Sequence, residues 1–167
     1  MKIFAFIMAM FAFVYADELL DVTKNCNKGH SAEGEYVQPG ISEASCVLST
    51  SRIHPGFDLD FQKVGLPSRF FFDTFVNVKM NGKEIPIRFF VFEDEKEYNA
   101  IQALIQTAYA TRSSVSVIFA NPMLSENLYD YETFLTKRKK IKKCYTNNNI
   151  KGVISYVNCS IESIILN

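Results

Sequence analysis

Apolar and polar positions alternate most regularly in the middle of the chain. Over 70–80, polar residues from Asn77 onward alternate with apolar ones, which is the period of a strand with one buried face. Asn81 and Gly82 then favour a type I′ turn, and a second strand is expected at 85–92. This stretch therefore predicts a β-hairpin.

A stripe of apolar side chains at helical spacing follows the hairpin and predicts one amphipathic helix over 94–111. Its members are Tyr98, Ile101, Ile105 and Ala108. Further short strands are predicted at 115–119, 142–145, 153–157 and 161–166. Before residue 67, glycine and proline interrupt the chain every few residues, which is typical of loops.

These elements divide the chain at about residue 67. A mainly β fold, an OB-fold-like β-barrel with one amphipathic helix, is predicted for 68–167. An α+β open sheet with one helix is the alternative for the same order of elements. Residues 17–67 are expected to form a loop-rich, disulfide-tied extension, because they contain too few apolar residues to bury a core of their own.

The first residues have the pattern of a secretory signal peptide. Lys2 precedes an unbroken apolar run at 3–15, and Val14-Tyr15-Ala16 is an acceptable cleavage site. The run is shorter than the roughly 20 apolar residues of a membrane-spanning helix. Residues 1–16 are therefore expected to be removed, and the mature protein to be secreted, first to the periplasm and then outside the cell.

Export gives the four cysteines a structural interpretation. In an oxidising compartment, four cysteines without a Cys-x-x-Cys pair predict two disulfides, for which three pairings are possible. Pairing Cys26 with Cys46 and Cys144 with Cys159 is favoured, because each bond then closes a short loop.

Charge excludes one class of partner. The 18 basic and 18 acidic residues cancel, so no net positive field attracts nucleic acid. A basic run at 137–143 stands out locally. It is either a solvated loop or a docking surface for anionic groups such as acidic lipid, glycan or a partner chain.

Motifs for catalysis are missing from the sequence. It contains no Gly-x-Ser-x-Gly, no His-Glu-x-x-His, no phosphate-binding loop and no Gly-x-Gly-x-x-Gly. Its two histidines, His30 and His54, lie in turn-rich sequence without the spacing of a zinc site. The expectation is a protein that is not an enzyme and that uses no cofactor or metal.

An aromatic run at 70–75 is the strongest candidate for a binding site. Phe70, Phe71 and Phe72 cannot all point to the core from one strand, because side chains alternate between its faces. Aromatic rings beside the polar pair Asp73-Thr74 could stack on a sugar ring and bond its hydroxyls. The alternative is a strand covered on both faces, or a subunit contact.

The order of several sequence segments in the second half of the chain resembles that of a known protein family. The helix ends at Tyr109-Ala110, followed by Val-Ser-Val at 115–117, Tyr-Asp-Tyr-Glu at 129–132 and a Gly-x-Ile-x-x-x-x-Cys strand at 152–159. With the signal peptide and the paired cysteines, this order resembles the carboxy-terminal module of the receptor-binding B subunits of pertussis toxin and related AB-type toxins. The resemblance covers about 68–164.

The resemblance implies an OB-fold, assembly into a homo- or hetero-pentamer and a catalytic A subunit as partner. It also implies a host cell-surface glycan, sialylated or neutral, as the receptor. By position it assigns the sugar contacts to Phe71, Phe72 and Asp73, and Thr74 adds a hydroxyl next to them. The expected function is a secreted, non-enzymatic receptor-binding subunit that delivers the A subunit. A secreted or periplasmic inhibitor or immunity-type protein is the alternative.

Overall fold

The computed structural model describes residues 18–21, 25–26, 45–59, 62, 65–137, 143–148 and 154–167. The predicted signal peptide at 1–16 and most of the basic run lie outside the described residues.

Strands dominate the described residues, and two α-helices interrupt them. In chain order the elements are β1 (Glu18–Leu19), β2 (Ser45–Thr50), β3 (His54–Asp58), β4 (Arg69–Met80), β5 (Lys83–Phe92), α1 (Tyr98–Thr111), β6 (Val115–Ala120), a 3₁₀ turn (Ser125–Asn127), β7 (Leu128–Asp130), α2 (Tyr131–Lys137), β8 (Cys144–Asn148), β9 (Ile154–Ser160) and β10 (Ser163–Leu166).

The predicted hairpin is confirmed as β4 and β5, which pair antiparallel up to Met80 and Lys83. Asn81 and Gly82 connect them with φ of 50° and 75°. A type I′ turn needs positive φ at both central residues, and asparagine and glycine adopt it at the lowest cost.

The strands form two open sheets. The large sheet has the order β1-β4-β5-β9-β8-β7, with β3 also paired to β4, and the small sheet has the order β10-β6-β2. The mainly β class is confirmed. Neither sheet closes on itself within the described residues, so the barrel is not confirmed, and the arrangement is consistent with the alternative, an α+β open sheet.

The helices differ from the prediction in number and in start. The second helix, α2, has seven residues, too few for an apolar stripe to appear in the sequence. The first helix begins at Tyr98 rather than at residue 94. The chain turns just before it, where the Phe92 N–H donates to the Glu95 carboxylate at 3.0 Å and the Glu95 N–H donates to the Phe92 carbonyl at 3.0 Å.

One main core lies between the two sheets and α1. The rings of Phe89 on the large sheet and Phe119 on the small sheet meet at 4.7 Å, and α1 contributes Ile101, Ile105 and Ala108. The opposite face of the large sheet, called the outer face below, carries a separate aromatic cluster beneath α2. This cluster consists of Phe90, Phe92, Phe134 and Tyr145.

Both predicted disulfides are confirmed, Cys26–Cys46 and Cys144–Cys159, and all four cysteines are buried in the main core. Part of the predicted extension, 17–67, supplies β1, β2 and β3 to the two sheets. Cys46 on β2 therefore packs in the same core as the strands after residue 67. The described part of the extension and the predicted module therefore share one hydrophobic core.

Candidate functional site

The four residues predicted to bind sugar lie on two different faces of β4. Phe72 and Thr74 point into the main core and are 0% and 1% exposed. Phe71 and Asp73 alternate with them and lie partly exposed on the outer face. The structure therefore does not bring the four residues to one surface.

Phe71 and Asp73 are engaged by a neighbouring arginine on β5. Arg88 donates from Nε and Nη2 to the two Asp73 carboxylate oxygens at 2.8 and 2.9 Å. Its guanidinium carbon lies 4.0 Å from the Phe71 ring centroid and 4.2 Å from that of Tyr156. Burial lowers the pKa of Arg88, but the hydrogen bond and charge of Asp73 raise it, and the net pKa is above its ordinary value.

A second arginine on the outer face is fully enclosed. Arg69 donates to the Asp58 carboxylate at 3.1 Å, to the Tyr145 hydroxyl, and to Asn158 Oδ1 at 3.3 Å. Burial raises the pKa of Tyr145 to about 12, and the nearby charge of Arg69 acts in the opposite direction. These contacts hold β3, β4, β8 and β9 together beneath the aromatic cluster, so their role is structural.

The pairing of β4 with β5 is interrupted by a β-bulge between Asp73 and Asn77. Within it Phe75 has a φ of 57°, a left-handed conformation that costs a residue with a Cβ roughly 1–2 kcal/mol. The neighbouring Thr74 hydroxyl is buried without a hydrogen-bond partner in the described structure. Bulges often change the direction of a side chain next to a functional site, and here the bulge leaves Phe75 43% exposed.

Phe75 lines an open groove of about 640 Å³ at the end of α1. That volume lies within the range of small-molecule sites. The groove is formed by the connection between β2 and β3, by the bulge, and by the last residues of α1. Its main lining side chains are Arg52, Ile53, His54, Phe75, Tyr109 and Arg112.

Aromatic and cationic groups share the groove, and none of the lining residues that the structure describes is acidic. The rings of His54 and Phe75 meet edge to face with centroids 4.7 Å apart, and the Tyr109 side chain is exposed. Arg112 ends the helix in the left-handed conformation, with φ of 55°, and its N–H bonds the carbonyls of Ala108 and Tyr109. The arrangement can stack a flat ring and bond polar or anionic substituents.

The groove contains one ring from the aromatic run at 70–75, but that ring is not one of the four residues predicted to bind sugar. Phe75 is the last aromatic of the run at 70–75, and Tyr109 belongs to the segment that carries the family resemblance. Regular alternation places Phe75 on the outer face, and only the bulge, for which the sequence has no signal, changes this. Nothing in the local sequence marks Arg52 or Arg112 as groove residues either. They are far apart along the chain and line the same groove only in the folded protein.

The described part of the chain lacks two other features. It holds no group of three or more His, Cys, Asp or Glu residues that could bind a metal ion. None of its helices has the length and apolar character needed to cross a membrane.

Comparisons of the chain with family models, with curated proteins and with solved structures found no match.

Proposed function

We propose that this chain is an exported, non-catalytic glycan-binding protein whose sugar site is the groove at the end of α1. The observation that carries the proposal is the bulge that exposes Phe75. A left-handed phenylalanine beside an unpartnered buried hydroxyl costs stability, and strain of this kind tends to persist where it serves a site.

The chemistry of the groove supports a sugar as the ligand. A pyranose has an apolar face that stacks on aromatic rings and hydroxyls that need hydrogen-bonding groups. Phe75 and Tyr109 supply two exposed rings, and Ser51, His54 and Arg112 supply polar groups in the same groove. Phe71 is less suited to stacking, because Arg88 already covers its ring.

The proposal includes the role of a receptor-binding B subunit of an AB-type toxin, which rests on the sequence resemblance. In that role the chain would bind a host cell-surface glycan and join a homo- or hetero-pentamer that carries a catalytic A subunit. The two disulfides fit a secreted or periplasmic protein. A signal peptide at 1–16, removed on export, is part of the same proposal.

Two measurements on the protein without residues 1–16 test these proposals. A glycan array should show binding that Tyr109→Ala abolishes, because this exposed ring lines the groove and alanine suits a helix. Phe57→Ala is the matched control, since Phe57 is exposed to a similar degree but lies outside the groove. Equal binding by both variants would rule out the groove. Sedimentation that shows only monomer, with and without an A subunit, would rule out the pentamer.

The alternative of an inhibitor or immunity-type protein is favoured by a different surface. Phe57 and Leu59 are 51% and 60% exposed at the end of β3, and exposed apolar side chains at neighbouring positions are typical of protein contacts. This alternative would be supported if the protein bound no glycan but formed a tight complex with a secreted protein. Phe57→Ala should then abolish that complex.

A further inference from the structure

Two exposed aromatic rings reach the groove from different elements. Phe75 comes from the bulge in β4, and Tyr109 comes from the last turn of α1. The Phe75 ring packs edge to face against His54, and in the described structure no ring contact joins Phe75 to Tyr109. The groove therefore offers two separate stacking surfaces rather than one continuous aromatic wall.

The size of the groove exceeds what a single sugar needs. Sites for drug-sized ligands begin at about 300 Å³, and a single pyranose has fewer heavy atoms than such a ligand. The groove has a volume of about 640 Å³, more than twice that lower limit, and it is open to solvent. Several linked sugars can therefore lie in the groove, and the chain can continue beyond it.

The two rings differ in how firmly they are held. The contact with His54 fixes the direction of the Phe75 ring, whereas the Tyr109 side chain is exposed on the surface of the helix. A group that is already fixed loses less conformational freedom when a ligand binds. The first sugar is therefore expected to stack on Phe75, and Tyr109 to contribute when a second sugar reaches it.

We propose that the ligand of the groove is an oligosaccharide rather than a single sugar, with one sugar ring on Phe75 and another, further along the chain, on Tyr109. The inference rests on the proposed function of the groove as a sugar site, to which it adds the length of the ligand. It makes affinity depend on chain length. A chain that reaches both rings should bind roughly tenfold more tightly than its single sugar, in keeping with one additional aromatic stack.

The test is a titration, followed by NMR so that weak binding is detected, of the protein without residues 1–16. The probes are glucose, galactose, mannose, N-acetylglucosamine and sialic acid, each alone and as the terminal unit of short chains of neutral sugars. Every chain carries the same charge as its single sugar, so a gain in affinity with length does not come from charge. At least one series should show the tenfold gain.

Variants assign the gain to one ring. Tyr109→Ala should weaken the binding of chains more than that of the single sugar, so that the ratio of the two affinities falls to about one. Phe75→Asn should weaken both by similar factors. Phe57→Ala is the matched control, because Phe57 is an exposed ring that does not line the groove, and it should keep the tenfold gain.

Each other result overturns a distinct claim. Equal affinity of the single sugar and its chains in every series that binds overturns the inference and leaves the sugar site standing. A gain with length that survives Tyr109→Ala places the second sugar elsewhere and also overturns it. So does a loss in Tyr109→Ala that is equal for the single sugar and the chain, because both rings would then hold the same sugar. Absence of binding to every probe overturns the proposed function itself.

Discussion

The ring of Phe75 meets the imidazole of His54 edge to face, with centroids 4.7 Å apart, although the backbone at Phe75 is left-handed. The contact joins the bulge in β4 to the first residue of β3. It fixes the direction of a ring that would otherwise be free in solvent, so Phe75 forms a preorganised wall of the groove.

Replacing Phe75 with asparagine should weaken glycan binding without lowering the stability of the fold. Asparagine adopts the left-handed conformation more easily than phenylalanine, so Phe75→Asn should relieve about 1 kcal/mol of backbone strain. That gain offsets the lost contact with His54, and we expect an unchanged or slightly higher unfolding midpoint. Glycan binding should fall at least tenfold. Unchanged binding on the same array would show that the ring is not part of the site.

Removing the Asp73 carboxylate should reduce stability and leave binding intact. From the sequence, Asp73 is expected to be an exposed acceptor for sugar hydroxyls with little effect on folding. In the structure both of its oxygens bind Arg88, which is partly buried between two rings. Asp73→Ala should therefore lower the free energy of unfolding by on the order of 1–3 kcal/mol.

Denaturant unfolding measures this loss, and Glu84→Ala is the matched control. Glu84 is an exposed carboxylate on the same hairpin, so its removal should change stability by less than about 0.5 kcal/mol. If Asp73→Ala keeps full stability and loses glycan binding, the sugar site lies on the outer face and not in the groove.

Gly56 is expected to resist even a methyl group. A Cβ at this position would lie 2.6 Å from Cζ of the Phe71 ring, and the centroid of the same ring lies 4.0 Å from the guanidinium carbon of Arg88. Gly56→Ala should lower the free energy of unfolding by about 1–3 kcal/mol, the usual cost of overpacking. The same substitution in a Phe71→Ala background should cost much less, because the clash is gone. Equal costs in both backgrounds would mean that the ring moves aside freely.

The raised pKa of Tyr145 predicts a loss of stability in alkali. Its folded-state pKa is about 12, against an ordinary value of 10, so the unfolded chain releases this proton first. The contribution of Tyr145 is therefore complete below about pH 10 and is lost as the pH rises towards 12. The free energy of unfolding should fall over that window by on the order of 2–3 kcal/mol from this group.

Tyr145→Phe isolates the contribution of this group. The variant is less stable near neutral pH, because Arg69 loses an acceptor, but its free energy of unfolding should fall less steeply between pH 10 and 12. Identical slopes in the two proteins would show that Tyr145 does not titrate as the structure indicates.

Local chemistry explains which parts of the fold could be predicted from the sequence. Asn81-Gly82 determines its turn by backbone conformation alone, and the stripe from Ile101 to Ala108 determines which face of α1 is buried. The disulfides were predictable because each closes a short loop, and Cys144 and Cys159 are direct partners in the antiparallel pair β8 and β9. In each case the deciding residues lie close together along the chain.

The remaining features depend on contacts between distant residues. The parallel pairing of β5 with β9 brings Arg88 beside Asn158, and no spacing in the sequence encodes such a register. The bulge is a shift in the pairing register of β4 and β5, so it exists only when both strands have paired. The groove depends on that bulge and on residues 52 and 112, which the fold alone brings together.

The small sheet also affects the order in which the protein can fold. Its three strands come from residues 45–50, 115–120 and 163–166, so no two of them are neighbours along the chain. As the chain is synthesised, β6 keeps one edge unpaired until the final strand has emerged, and pairings between distant segments form slowly. A polypeptide whose small sheet forms this late has an incomplete core until residues 163–166 are available, and the proposed export would require a chain in that incompletely folded form.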